Sequence, residues 1–172
     1  SRVAKVPVVE LLRNDTRNVL LAAGLYCAHG VLFYAMTVYT LAYTTAAYGL
    51  ERNTYLIGVT AAGAGQLITI PLLGALSDKL GRRPVVIFGT LFIIAFSVPL
   101  NYMITTGVAV YMWLAVVVSI CIGHNSVYSP TAALYSEMFP AHVRYSGASL
   151  GYQLGGAIAG FVKHDLQGFA QP

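Results

Sequence analysis

Two histidines stand in stretches that otherwise contain no formal charge, and this isolation makes them chemically suggestive. Asp, Glu, Lys and Arg are absent from Val19 to Leu50, where His29 lies, and from Pro84 to Ser136, where His124 lies. Imidazole is the side chain whose ordinary pKa falls near neutrality, and it is costly in an apolar setting unless paired. Each histidine could therefore hold a carboxylate or pass a proton. Tyr26 precedes His29 by one helical turn, and Phe33, Thr37, Thr40 and Thr44 continue that face at helical spacing. Asn125 adjoins His124, Tyr128 follows four residues on, and Gly123 and Pro130 loosen the segment. His124, Asn125, Tyr128, His29, Tyr26 and Gln66 are the candidate solute-binding residues, with the group around His124 the stronger. The plainer alternative is a pair of neutral histidines bonded to neighbouring helices, with Tyr34, Tyr39 and Tyr43 as packing or interfacial anchors.

A second set of residues suits mechanics better than catalysis. In GALSDKLGRRP, Gly74 to Pro84, Asp78 sits at a predicted helix exit and Gly81 permits a sharp reversal. Arg82 and Arg83 anchor that turn in water, and Pro84 suits the first turn of the next helix. In YSEMFPAHVRYSGASLGYQ, Tyr135 to Gln153, Glu137 and Arg144 flank Pro140. These acids and bases could pair with the Arg82 and Arg83 loop as a charged latch. Pairs in bulk solvent are weak, which suits a gate more than a clamp. No enzyme chemistry, cofactor or metal is expected. Cys27 and Cys121 have no His or Cys at ligand spacing. AAGAGQLI, Ala61 to Ile68, lacks both the third glycine and the preceding strand of a nucleotide-binding loop.

The elements that position these residues follow from composition. Hydrophobic residues make up 57% of the chain and charged residues 9%, against about 25% charged in soluble domains. Spanning the ~30 Å hydrocarbon core takes roughly 20 apolar residues in a helix, whose backbone bonds close internally. The charge-free stretches predict an all-α, polytopic transmembrane bundle of five helices, near 18–46, 54–76, 84–101, 108–134 and 144–162. A cytoplasmic segment, 1–17, precedes them and a polar tail, 163–172, follows. Gly147, Gly151, Gly155 and Ala159 form a four-residue stripe for close helix contact; Gly58 with Ala62, and Ala61 with Gly65, form weaker ones.

The net charge of +4 is explained by orientation, not by nucleic acid. Arg2, Lys5, Arg13, Arg17, Lys79, Arg82, Arg83 and Arg144 fall on one side of the predicted topology, and only Arg52 and Lys163 on the other. The positive-inside rule then makes the N-terminus cytoplasmic. The first residues lack the order of a signal peptide.

DKLGRRP resembles the G-x-L-a-D-r-x-G-R-R loop of the major facilitator superfamily, and EMFPAHVR resembles its E-x-F-P-x-x-x-R element. The run YSPTAALYSEMFPAHVRYSGASLGYQLG looks like the metabolite/proton symporter branch, although Ser129, Pro130, Thr131, Ala132 and Ala133 stand where that branch often has G-P-Q-A-A. The resemblance covers helices seven to eleven. It implies alternating-access transport of a small, carboxylated metabolite with protons across the cell membrane. It assigns Asp78, Gly81, Arg82, Arg83, Glu137 and Arg144 to a conformational gate, and it implies a missing N-terminal half as partner. Five helices where six are usual lead to the expectation of an incomplete half, with a tail that is foreign or truncated. A sugar-porter-like facilitator, a non-transporting scaffold and an inactive truncated product are the competing readings.

Overall fold

The computed structural model describes residue 11, residues 13–49 and residues 51–169, with 163–169 described by backbone alone. Arg2 and Lys5, the side chain of Lys163 and the end of the polar tail lie outside the described residues. Among the described residues there is no strand, and five long helices make up the architecture: α1 Thr16–Tyr48, α2 Arg52–Leu80, α3 Arg82–Thr105, α4 Ala109–Met138 and α5 Arg144–Phe169. The first four are long and apolar enough to cross a bilayer. The fifth continues as helix beyond residue 162, through the start of the stretch read from sequence as a tail.

The faces of these helices divide between lipid and protein. Leu67, Val98 and Phe161 are each at least three-quarters exposed, as side chains solvated by hydrocarbon would be. Helix α4 is the enclosed one: 61% of its most apolar window is buried, against 22% or less in α1, α2 and α3. Met112, Val116 and Ile120 pack on Tyr55 and Ala62 of α2, while Ala115 meets Leu100 and Ile104 of α3.

Helices α2 and α4 run parallel and in register. Trp113 Nε1 donates to the Thr54 carbonyl at 2.7 Å, Cys121 Sγ to Ala62 at 3.5 Å and Ser129 Oγ to Ile70 at 2.6 Å. Each pair is separated by 59 residues. Such bonds favour association in a medium that supplies little hydrophobic drive between helices. Helix α4 crosses α1 antiparallel: Tyr135 donates to the Ala22 carbonyl at 2.8 Å, and Asn18 Nδ2 to the Met138 carbonyl at 3.0 Å.

The small-residue stripe of α5 is a contact face. A methyl on Gly151 would come within 2.6 Å of Ala22 Cβ, one on Gly155 within 2.5 Å of the Ala23 carbonyl, and Ala159 is fully buried. Gly147 lies beneath the Phe139 ring instead. On α2, Gly58 receives Trp113 and Gly65 receives Cys121, whereas Ala61 faces outward.

Two helices are not regular throughout. Each of α1 and α4 contains a π-helical segment, Ala35–Tyr39 and Ser119–His124 respectively. A π turn leaves backbone groups for other partners; the Tyr55 hydroxyl donates to the Met36 carbonyl within the first.

Candidate functional site

The second π segment ends on His124, inside the bundle, and the two predicted histidines come together there. His29 is 4% exposed and His124 6%; their ring centroids are 5.5 Å apart. Tyr128, one turn after His124, stacks on it at 5.7 Å and lies 5.5 Å from His29. Phe33 approaches His124 at 5.2 Å. Tyr26 meets His29 edge-on at 4.4 Å, and Tyr152 of α5 covers Tyr26 at 3.9 Å.

Two cavities meet at this cluster. The first, about 340 Å³, is lined by Tyr26, His29, Phe33, Gln66, His124 and Tyr128, with other residues of α1 and α2. The second, about 510 Å³, extends past Ser129, Thr131 and Tyr135 to Tyr145, Ser149 and Tyr152. His29, Ile70 and Tyr128 border both. Among the described residues, no Asp, Glu, Lys or Arg lines either cavity. The polar part of the lining consists of hydroxyls, two amides and two imidazoles beside aromatic faces, groups that can hydrogen-bond a polar solute while contributing no fixed charge.

Five of the six residues expected to meet solute border the first cavity; Asn125 does not, being fully buried. Its amide is engaged on both sides. Gln66 Nε2 donates to Asn125 Oδ1 at 3.0 Å, His124 Nδ1 lies 3.2 Å from the same oxygen, and Asn125 Nδ2 donates to Thr69 Oγ1 at 2.7 Å. The threonines of α1 are also spent internally. Thr37 donates to Phe33, Thr40 to Ala35 and Thr44 to Leu41, all backbone carbonyls. The π segment at Ala35–Tyr39 adds a residue to one turn, so a face drawn at regular helical spacing does not continue straight beyond it.

Sequence reasoning overlooked Thr69 and Tyr152. Thr69 lies three residues after Gln66, hence on the same helix face, and that spacing was a usable signal. Tyr152 carried none, because its place depends on how closely α5 approaches α1.

At the end of the bundle where α2 gives way to α3, Arg82 gathers both acids. It contacts Asp78 directly, donates through Nε to Glu137 at 3.2 Å, and reaches the buried Ser77 hydroxyl at 3.1 Å. Gly81 makes the reversal with φ 95° and ψ 153°, a conformation that a side chain would strain. The other two arginines lie apart from this pair of bonds. Arg83 lines the adjoining groove with Leu134, Glu137 and Met138; Arg144 Nε donates to the Phe139 carbonyl at 3.4 Å.

Residues 2–162 match the family model of the Major Facilitator Superfamily. The chain is 33% identical, over 95% of its length, to the inner membrane metabolite transport protein YhjE of Escherichia coli K12, covering 39% of that protein. It is 31% identical over 91% of its length to the shikimate transporter of the same organism, covering 36% of it. It is 28% identical over 92% of its length to the proline/betaine transporter of Salmonella typhimurium, covering 31% of it. The chain thus spans between 31% and 39% of these relatives. No solved structure matches it.

Proposed function

The chain belongs to the major facilitator superfamily, and on that premise we propose that it forms one wall of a proton-coupled symporter for a small carboxylated metabolite. The observation that carries this reading is the histidine and tyrosine cavity between α1, α2 and α4, polar in detail yet free of fixed charge. A neutral imidazole, an amide and phenols can each hydrogen-bond a carboxylate. A protonated imidazole does so more strongly, because an ionised donor strengthens the bond. Binding of the solute anion and of a proton then favour one another, which is the thermodynamic content of symport. The relatives named for shikimate and for proline and betaine support a carboxylated solute.

Alternating access requires a second wall, and the relatives are long enough to hold an opposing bundle. In this reading Asp78, Gly81, Arg82, Arg83, Glu137 and Arg144 form a gate at the cytoplasmic end, with the N-terminus on the same side. Their pairs are exposed and individually weak, so they can break and reform in every cycle.

The test is uptake by the full-length protein reconstituted in liposomes. External acidification should drive accumulation of a labelled carboxylate, and dissipating the pH gradient should abolish it. Accumulation indifferent to the gradient removes the proton; saturable uptake of a neutral sugar in its place favours a facilitator.

A further inference from the structure

The hydrogen bonds behind the cavity wall determine which atom of His124 can receive a proton. The Gly65 carbonyl, which can only accept, takes the Thr69 hydroxyl at 3.1 Å. Having donated its one hydrogen there, Thr69 Oγ1 can only accept from its remaining neighbours, Asn125 and the Cys121 thiol, so the Asn125 atom 2.7 Å away is the amide nitrogen. The orientation of Asn125 follows. Its oxygen faces Gln66 Nε2 and His124 Nδ1, and an amide oxygen accepts. His124 Nδ1 therefore carries hydrogen in the neutral ring, and Nε2 is left with the lone pair.

His29 supplies the second observation. Its Nδ1 is the buried side-chain polar atom without a hydrogen-bond partner among the described residues, the Leu25 carbonyl one turn back coming near without closing a normal bond. The groups facing the two rings are Tyr26, Phe33 and Tyr34 of α1, Gln66 of α2, Phe92 and Phe96 of α3 and Tyr128 of α4, with Tyr152 of α5 behind Tyr26. Tyr135 and Tyr145 share the second cavity with His29, and among the described residues none of these groups is a carboxylate that could neutralise a second positive charge. Two imidazolium rings with centroids 5.5 Å apart would repel across an apolar setting, so the pair titrates as a unit.

We propose, resting on the proton-coupled reading above, that His29 and His124 together bind one proton and not two. Its receiving atom is His124 Nε2, and Thr69, Asn125 and Gln66 are the positioning residues that fix that choice. The step is simple in its balance. A hydronium ion in the cavity water gives its proton to the Nε2 lone pair: one O–H bond breaks, one N–H bond forms, neutral water is left behind, and the Nδ1–H bond to Asn125 stays intact; release is the reverse. Protonation changes Nε2 from an acceptor into a cationic donor without disturbing the network behind it. A solute carboxylate gains its counter-charge in this way.

Nuclear magnetic resonance of the intact protein in lipid nanodiscs, with ring-15N histidine assigned by replacing each histidine in turn, tests this directly. In the neutral form His124 should show a protonated Nδ1 and a bare Nε2, the minority tautomer of free histidine. Asn125→Leu and Thr69→Val should move the population toward the Nε2–H form, and Thr69→Ser should restore it. Lowering the pH stepwise until the fold is lost should yield one imidazolium from the pair, and its absence at every pH overturns the proposal. A wild-type His124 in the Nε2–H form, or two imidazolium signals from the pair, would overturn the proposal. The wild-type spectrum decides even if a variant fails to fold. Neither readout requires uptake, so a failure of transport and a failure of this assignment are distinguishable.

Discussion

Asn125 illustrates how a residue can be found from sequence while its surroundings stay hidden. A polar side chain beside a histidine, deep in an apolar segment, is legible as a functional candidate. That its amide is consumed by Gln66, His124 and Thr69 depends on the register of α2 against α4, which no local spacing encodes. The consequence is measurable. Asn125→Ala leaves the buried His124 Nδ1 and the half-buried Gln66 and Thr69 without this partner and should cost about 1–3 kcal/mol, read by denaturant unfolding in detergent. Tyr135→Phe removes one hydroxyl donor from a carbonyl already bonded within its helix, and should cost about 1 kcal/mol. A reversed order of these two effects would mean that Asn125 faces the cavity and is hydrated there.

The all-helical fold and the number of helices were legible because charge is excluded from the bilayer core, so gaps between charged residues mark the spans. The two π segments were not. A π turn arises where packing makes a wider turn tolerable, and neither AMTVY nor SICIGH carries a local signal for it. Helix contact through small residues was legible in α5, since a four-residue glycine spacing has few other uses in lipid. Close packing separates the glycines that matter from those that do not. A methyl at Gly155 would press to 2.5 Å on the Ala23 carbonyl, a backbone atom that cannot swing away, whereas one at Gly160 meets nothing within 4 Å. Gly155→Ala should therefore destabilise the α1–α5 pair by about 1–3 kcal/mol through overpacking. Gly160→Ala should be neutral or stabilise by up to about 1 kcal/mol, because alanine is the better helix former. Thermal unfolding of the two variants side by side checks this, and equal melting temperatures would contradict the assigned interface.

For the whole molecule, the described arginines and lysines at the α2–α3 turn and at the starts of α1 and α5 lie at one end, because α4 binds Ala22 and Asn18 of α1 near the point where Glu137 meets Arg82. Arg52 opens α2 at the other end. If basic residues select the cytoplasmic face, cysteine at Lys79 should react with a membrane-impermeant maleimide only in inverted vesicles, and cysteine at Arg52 only in intact cells. The opposite pattern would invert the topology. The same end holds the proposed gate, whose geometry limits the effect of a mutation there. Arg82 retains Asp78 when Glu137 is lost, and both acid side chains are more than half exposed, so no buried charge is stranded. Glu137→Gln should change the rate of exchange between the two open forms by about 5-fold or less. It should leave solute affinity nearly unchanged, because the cavities around His29 and His124 do not include Glu137. Counterflow kinetics in liposomes beside equilibrium binding separates the two quantities. A loss of affinity with exchange intact would move Glu137 from the gate to the solute path.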